Sequence, residues 1–140
     1  MKNKFHNKSV IEVVHVITSL DTGGAEKMLI RLAEYEDSNN RYKHSVISLS
    51  KLKNNQKYLQ SSNFKIYEFN LNKNIYSLIV NLFLLFNLIK KINPSLVVGW
   101  MYHSCLIVSL INLFLKKKVF ILWNIRHTPI ELKDEKFITR

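Results

Sequence analysis

Glycine, proline and cysteine are scarce in this chain, at 3, 2 and 1 residues among 140. Where so few tolerant residues occur, each glycine or proline marks a stretch of backbone that needs it. The lone Cys105 excludes an internal disulfide. The opening MKNKFHNKS is polar and basic with no apolar signal core behind it, so a reducing, cytoplasmic setting is expected. Acidic residues are also short, 10 against 21 Lys and Arg, for a net charge of +11. That excess points to anionic partners such as phosphates, nucleic acid or an inner membrane leaflet, although lysines spread along the chain also suit a solvated surface. Nucleic acid is disfavoured, because aromatics are not interleaved with basic residues in any run. Asp21, Asp37 and Asp134 form no Asp-x-Asp, and no cluster of His, Cys and acid has metal-ligand spacing, so no metal is expected. The G-x-G-x-x-G fingerprint and the Lys-Ser/Thr of a P-loop are both missing, which counts against a dinucleotide cofactor and against a nucleotide triphosphatase.

What is present is a hydrophobic content of 47%, enough to close the core of one domain of about 100–200 residues. IEVVHVI at 11–17 reads as a strand buried on both faces. AEKMLIRLAEYE follows as an amphipathic helix, with Ala25, Met28, Leu29, Leu32 and Ala33 inward and Lys27, Arg31 and Glu34 outward. HSVISLS at 44–50 and FKIYEFN at 64–70 read as strands, with a loop or short helix between them. IYSLIVNLFLLFNLIKKI predicts a helix over 75–92, ended by Asn93 and Pro94, and SLVVGW at 95–100 predicts a buried strand. CLIVSLINLFL at 105–115 predicts a helix whose C-terminus suits the charge of Lys116, Lys117 and Lys118, and VFILWNI at 119–125 a final strand. This alternation predicts an α/β class, a Rossmann-like parallel sheet with helices on both faces. PIELKDEKFITR reads as the start of a further helix, so residues 1–140 are expected to be a single domain truncated before its last helices.

Segments 75–89 and 94–115 are apolar enough to raise the alternative of a membrane hairpin. The 15 residues before Lys90 would reach about 22 Å, short of the roughly 30 Å hydrocarbon core. Asn81, Asn87 and His103 interrupt the two stretches, and lysines at both ends give no positive-inside bias. Helices that cover a sheet, lipophilic enough for peripheral docking on a membrane, are the expectation.

Gly23 and Gly24 sit between the first strand and the first helix. There a ligand can approach main-chain N–H groups at a helix N-terminus, though a Gly-Gly pair also serves as a bare structural turn. His15 reads as a packed sheet histidine, His6 and His44 as surface residues, Trp100 and Trp123 as packing residues with satisfied N–H groups, and Cys105 as inert.

HVITSLDTGGAEKMLIRLA resembles the opening of the family-four retaining glycosyltransferases, whose first strand runs into a GGAE loop. INPSLVVGWMYHS is similar to that family's segment in which a Pro leads a strand ending near a His. ILWNIRHT is similar to its next strand, which ends in an Arg-His pair. The resemblance runs over residues 11–131. It implies the N-terminal, acceptor-side half of a GT-B architecture, with the C-terminal donor-binding domain absent here and supplied in cis or in trans. The implied activity is transfer of a sugar from a nucleotide-sugar donor to a saccharide or lipid-linked acceptor in cell-surface polysaccharide synthesis, at the inner face of the plasma membrane, with this fragment inactive alone. By the same resemblance His127 is catalytic, Gly23, Gly24 and Arg126 bind donor phosphate or sugar, and Tyr102 and His103 line the acceptor side. Two departures stand against the pattern. Ser95 replaces the Asp common after the Pro, and the family's two glutamates eight positions apart are missing. Glu26 and Glu34 have that spacing but lie on the first helix about 80° apart, with Glu26 better read as a first-turn acid facing the helix dipole. A non-catalytic module that binds anions or a membrane surface fits the charge equally well.

Overall fold

The computed structural model describes residues 10–21, 23–37, 41–52, 64–71 and 74–125. Arg126, His127, His6 and the segment PIELKDEKFITR lie outside the described residues.

The elements run β1 (Ile11–Ile17), α1 (Gly24–Asp37), β2 (Tyr42–Ser48), β3 (Lys65–Glu68), α2 (Ile75–Ile92), β4 (Leu96–Trp100), α3 (Met101–Phe114) and β5 (Phe120–Asn124). The strands form one sheet in the order β3-β2-β1-β4-β5, with every pairing parallel. Parallel neighbours require crossovers, and the helices supply them on opposite faces. Alternation along each strand separates the two sides. Val13, Ile17, Val46 and Val98 pack with Leu29, Ile30 and Ala33 of α1. Val14, Val16, Ile47 and Val97 pack with Leu85 and Ile89 of α2 and with Val108 and Ile111 of α3. The predicted Rossmann-like α/β architecture is what the chain adopts.

Helix ends follow local chemistry. Asn74 caps α2 by accepting the Tyr76 N–H at 3.0 Å. Asn93 ends the helix in the left-handed region at φ 49°, its N–H donating to the Ile89 carbonyl, and Pro94 follows. Asn81, polar within an apolar helix, donates to the Asn70 carbonyl and so ties α2 to the chain leaving β3. At the end of α3 the Lys118 ammonium donates to the Asn112 and Leu113 carbonyls, which satisfies groups that a helix C-terminus leaves open.

Three expectations need correction. Helix α3 starts at Met101, four residues before the predicted start, so MYHS is the helix's first turn. No loop intervenes, because Met101 takes φ 66° and turns the chain in a single residue. Met28 is exposed and Ile30 buried: the inward stripe of α1 is centred on Leu29, Ile30 and Ala33 and leaves Met28 on its rim. His44 is buried, not superficial, since it shares a face of β2 with Val46 two positions on.

Candidate functional site

The sheet reverses its winding between β1 and β4. From β1 the chain moves through α1 toward β2 and β3, and from β4 through α3 toward β5 on the other face. In an open parallel sheet this switch point opens a crevice outside the carboxyl ends of the strands. Here that position falls between the segment after Ile17 and the first turn of α3, where the Thr18 and Ser104 hydroxyls meet at 3.3 Å. Sequence reasoning missed both hydroxyls. Their signal was available, since Thr18 is the first residue past β1 and Ser104 belongs to the MYHS motif.

Two helix N-termini flank the crevice. Gly24 opens α1 and has no atom within 4 Å of where a Cβ would stand, so one side of this turn is open space. At Gly23 a side chain would collide with the Glu26 carboxylate, which folds back over the turn. Neither glycine has a positive φ, so close approach, not a left-handed turn, is what each permits. Glu26 occupies the first turn of α1, where a carboxylate faces the positive end of the dipole. The opening turn of α3 has neither a side-chain cap at Trp100 nor an acid. Tyr102 is half-buried in that turn and His103 is exposed. The structure therefore sets Gly23, Gly24, Tyr102 and His103 at the carboxyl ends of neighbouring strands. Asn124, the last residue of β5, pairs in register with Trp100, and Arg126 and His127 follow it in sequence.

Beneath the crevice lies a buried polar network on the α1 face. The Trp100 indole N–H donates to His15 Nδ1 at 3.1 Å. That acceptance places the His15 proton on Nε2, which donates to His44 Nδ1 at 2.9 Å. The two imidazoles stack with centroids 5.2 Å apart. Burial, helped by the neighbouring His44, pushes the His15 pKa down to about 3, so the ring is neutral near pH 7 and acts as a fixed relay of donors and acceptors. Trp123 satisfies its N–H on the Ser109 hydroxyl at 3.0 Å. The Cys105 thiol is buried, donates to the Gly99 carbonyl at 3.2 Å and has its pKa raised by desolvation, the environment of an unreactive cysteine. Among the described residues no group of three His, Cys, Asp or Glu stands close enough to hold a metal ion.

Comparison with known proteins bears on this arrangement. No family model matches the sequence, and no curated protein does. Among solved structures, the chain is similar in fold to a glycosyltransferase from Rickettsia africae ESF-5, with a TM-score of 0.65 and 20% sequence identity. The similarity covers 87% of this chain and 32% of that one, so the chain spans about a third of that protein's length. At this identity the likeness is one of fold, a Rossmann-like parallel sheet with helices on both faces.

Proposed function

We propose that the chain is the acceptor-side half of a retaining, family-four type glycosyltransferase of GT-B architecture, which moves a sugar from a nucleotide-sugar donor to a saccharide or lipid-linked acceptor. The observation that carries this reading is the flanking of one switch-point crevice by the GGAE turn and the MYHS turn, in a fold shared with a glycosyltransferase. The open space at Gly24 lets a diphosphate approach the N-terminus of α1, whose N–H dipoles stabilise the charge that builds on the leaving group. The resemblance to the family assigns Arg126 to that phosphate, as a charge-assisted partner, and His127 to the reacting sugar. Tyr102 and His103 face the acceptor. The donor nucleotide is held mainly by a second Rossmann-like domain, in cis or in trans, and the pathway is cell-surface polysaccharide synthesis at the cytoplasmic face of the membrane.

The test joins the chain to such a donor-binding domain and measures sugar transfer. His127→Ala and Gly24→Ala should each lower turnover by about tenfold or more with little change in melting temperature, and the 140-residue chain alone should show no turnover. Robust transfer by the chain alone, or unchanged turnover in both variants, refutes these assignments. The second reading, a non-catalytic surface-binding module, predicts no transfer in any combination.

A further inference from the structure

All 10 acidic residues fall outside residues 69–130, while that stretch carries Lys73, Lys90, Lys91, Lys116, Lys117, Lys118 and Arg126. It contains α2 and α3, whose outer surfaces are unusually apolar. On α2, Tyr76, Ile79 and Phe83 are each more than half exposed, as are Leu106, Leu113 and Phe114 on α3. The spacing of Tyr76, Ile79 and Phe83 puts them on one line of α2, and Leu106 and Leu113 share a line of α3, with Phe114 about 100° round that helix. The α2 line ends at Lys90 and the α3 line at Lys116 and Lys117, all exposed. Between the helices runs an apolar groove of about 310 Å³, lined by Leu82, Phe83, Phe86, Leu110, Ile111 and Phe114. A second hollow continues from Phe86 and Phe114 to Lys90, Lys116 and Lys117. An exposed contiguous apolar face of this kind marks an interaction surface.

We propose that the outer face of α2 and α3 seats on the surface of an anionic lipid bilayer, with its aromatic and leucine side chains among the acyl chains and the lysines at the helix C-termini on the headgroups. Charge selects this occupant. A basic rim with no carboxylate anywhere in the segment complements a sheet of phosphates, whereas a second copy of the same face offers those lysines no acidic partner. The helices lie on the bilayer and do not cross it. Helix α2 has the length and hydropathy of a span, but Leu85 and Ile89 on its inner side are packed against the sheet, and threading the helix through lipid would strip that core. An apolar stripe flanked by lysines is the pattern of an interfacial helix. The docking stands on this surface alone. One consequence rests on the sugar-transfer reading: His103, at the start of the α3 line, borders the crevice, so a seated face presents the crevice to acceptors anchored in the membrane.

The test is sedimentation of the full chain with vesicles of phosphatidylcholine alone or mixed with phosphatidylglycerol. Binding is expected to the mixed vesicles, weakened by salt. Neutralising Lys90 and Lys117 to Ala should weaken it about fivefold for each lysine, and Phe83→Ser with Leu113→Ser by about tenfold for each side chain. These side chains are exposed, so unchanged circular dichroism is expected in every variant. Equal binding with and without phosphatidylglycerol, or no binding, overturns the proposal. So does a stable dimer that ignores vesicles and is broken by Phe83→Ser, which assigns the face to a second copy.

Discussion

Lowering the pH from 7 to 5 should weaken the fold by about 2 kcal/mol through His15 alone. The ring is buried between β1, β2 and Trp100, and its pKa falls from the ordinary 6.5 to about 3 in the folded chain. Because the folded value is the lower one, the unfolded chain binds the extra proton between those limits. Stability is therefore full above the unfolded value and drains away as the pH falls toward about 3. The slope approaches about 1.4 kcal/mol per pH unit at its steepest. Integrated between pH 7 and 5, it gives the loss of about 2 kcal/mol, a large part of a typical margin of about 5–15 kcal/mol. Protonation is costly for a geometric reason as well: Nδ1 accepts the Trp100 N–H, so a proton placed there breaks that bond and sets a cation beside the His44 ring. The assay is urea unfolding of the chain and of His15→Gln at both pH values. His15→Gln loses stability at pH 7 because Trp100 and His44 lose well-placed partners, at about 1–3 kcal/mol for each group left unmatched. Its further loss on acidification should be smaller than the wild type's by about 2 kcal/mol. An identical pH dependence in the two proteins refutes the assignment, whatever the cost at neutral pH.

Two further predictions concern the carboxyl end of β4. Met101 holds a left-handed conformation at φ 66° that costs a side-chain-bearing residue about 1–2 kcal/mol. Met101→Gly should therefore be more stable than Met101→Val by about 1–2 kcal/mol in denaturant titrations, whereas inside a helix the order would be the reverse. At Gly99 an added Cβ would stand 2.8 Å from the Cys105 Cα, so Gly99→Ala should cost about 1–3 kcal/mol in a thermal melt. Because the collision is with backbone, adding Cys105→Ala should not recover the loss, and recovery would show that the sulfur alone sets the spacing.

The sequence order of apolar runs specified the sheet well, for a physical reason. Parallel strands buried on both faces read as short β-branched runs, and α2 announces its limits through Asn93 and Pro94. The errors arose where local and tertiary preferences part. Helix α3 begins directly on β4 because Met101 accepts a strained φ, and no propensity signals that choice. His44 was legible by alternation with Val46, but a polar residue at a strand's edge reads as superficial until its partner is known, and His15 lies 29 positions away. Of the candidate site, the strand-end placement of the GGAE and MYHS turns could be read in advance. The Thr18 to Ser104 contact could not, because it depends on which strands become neighbours.

Gly99, Trp100 and Met101 each break a local rule, and they are consecutive. A glycine inside a buried strand forfeits packing, an indole in the core demands an acceptor, and a left-handed methionine stores strain. Each departure has its use in the same geometry. Gly99 admits the backbone of α3 at close range, Met101 turns that helix without a loop, and Trp100 fixes the end of β4 to β1 through His15. Together they hold the uncapped first turn of α3, with Tyr102 and His103, against the crevice. A chain that needed only to close its sheet could end β4 in an ordinary loop. Strain concentrated in these three residues at the switch point is what fixes that first turn rigidly at the carboxyl ends of β1 and β4.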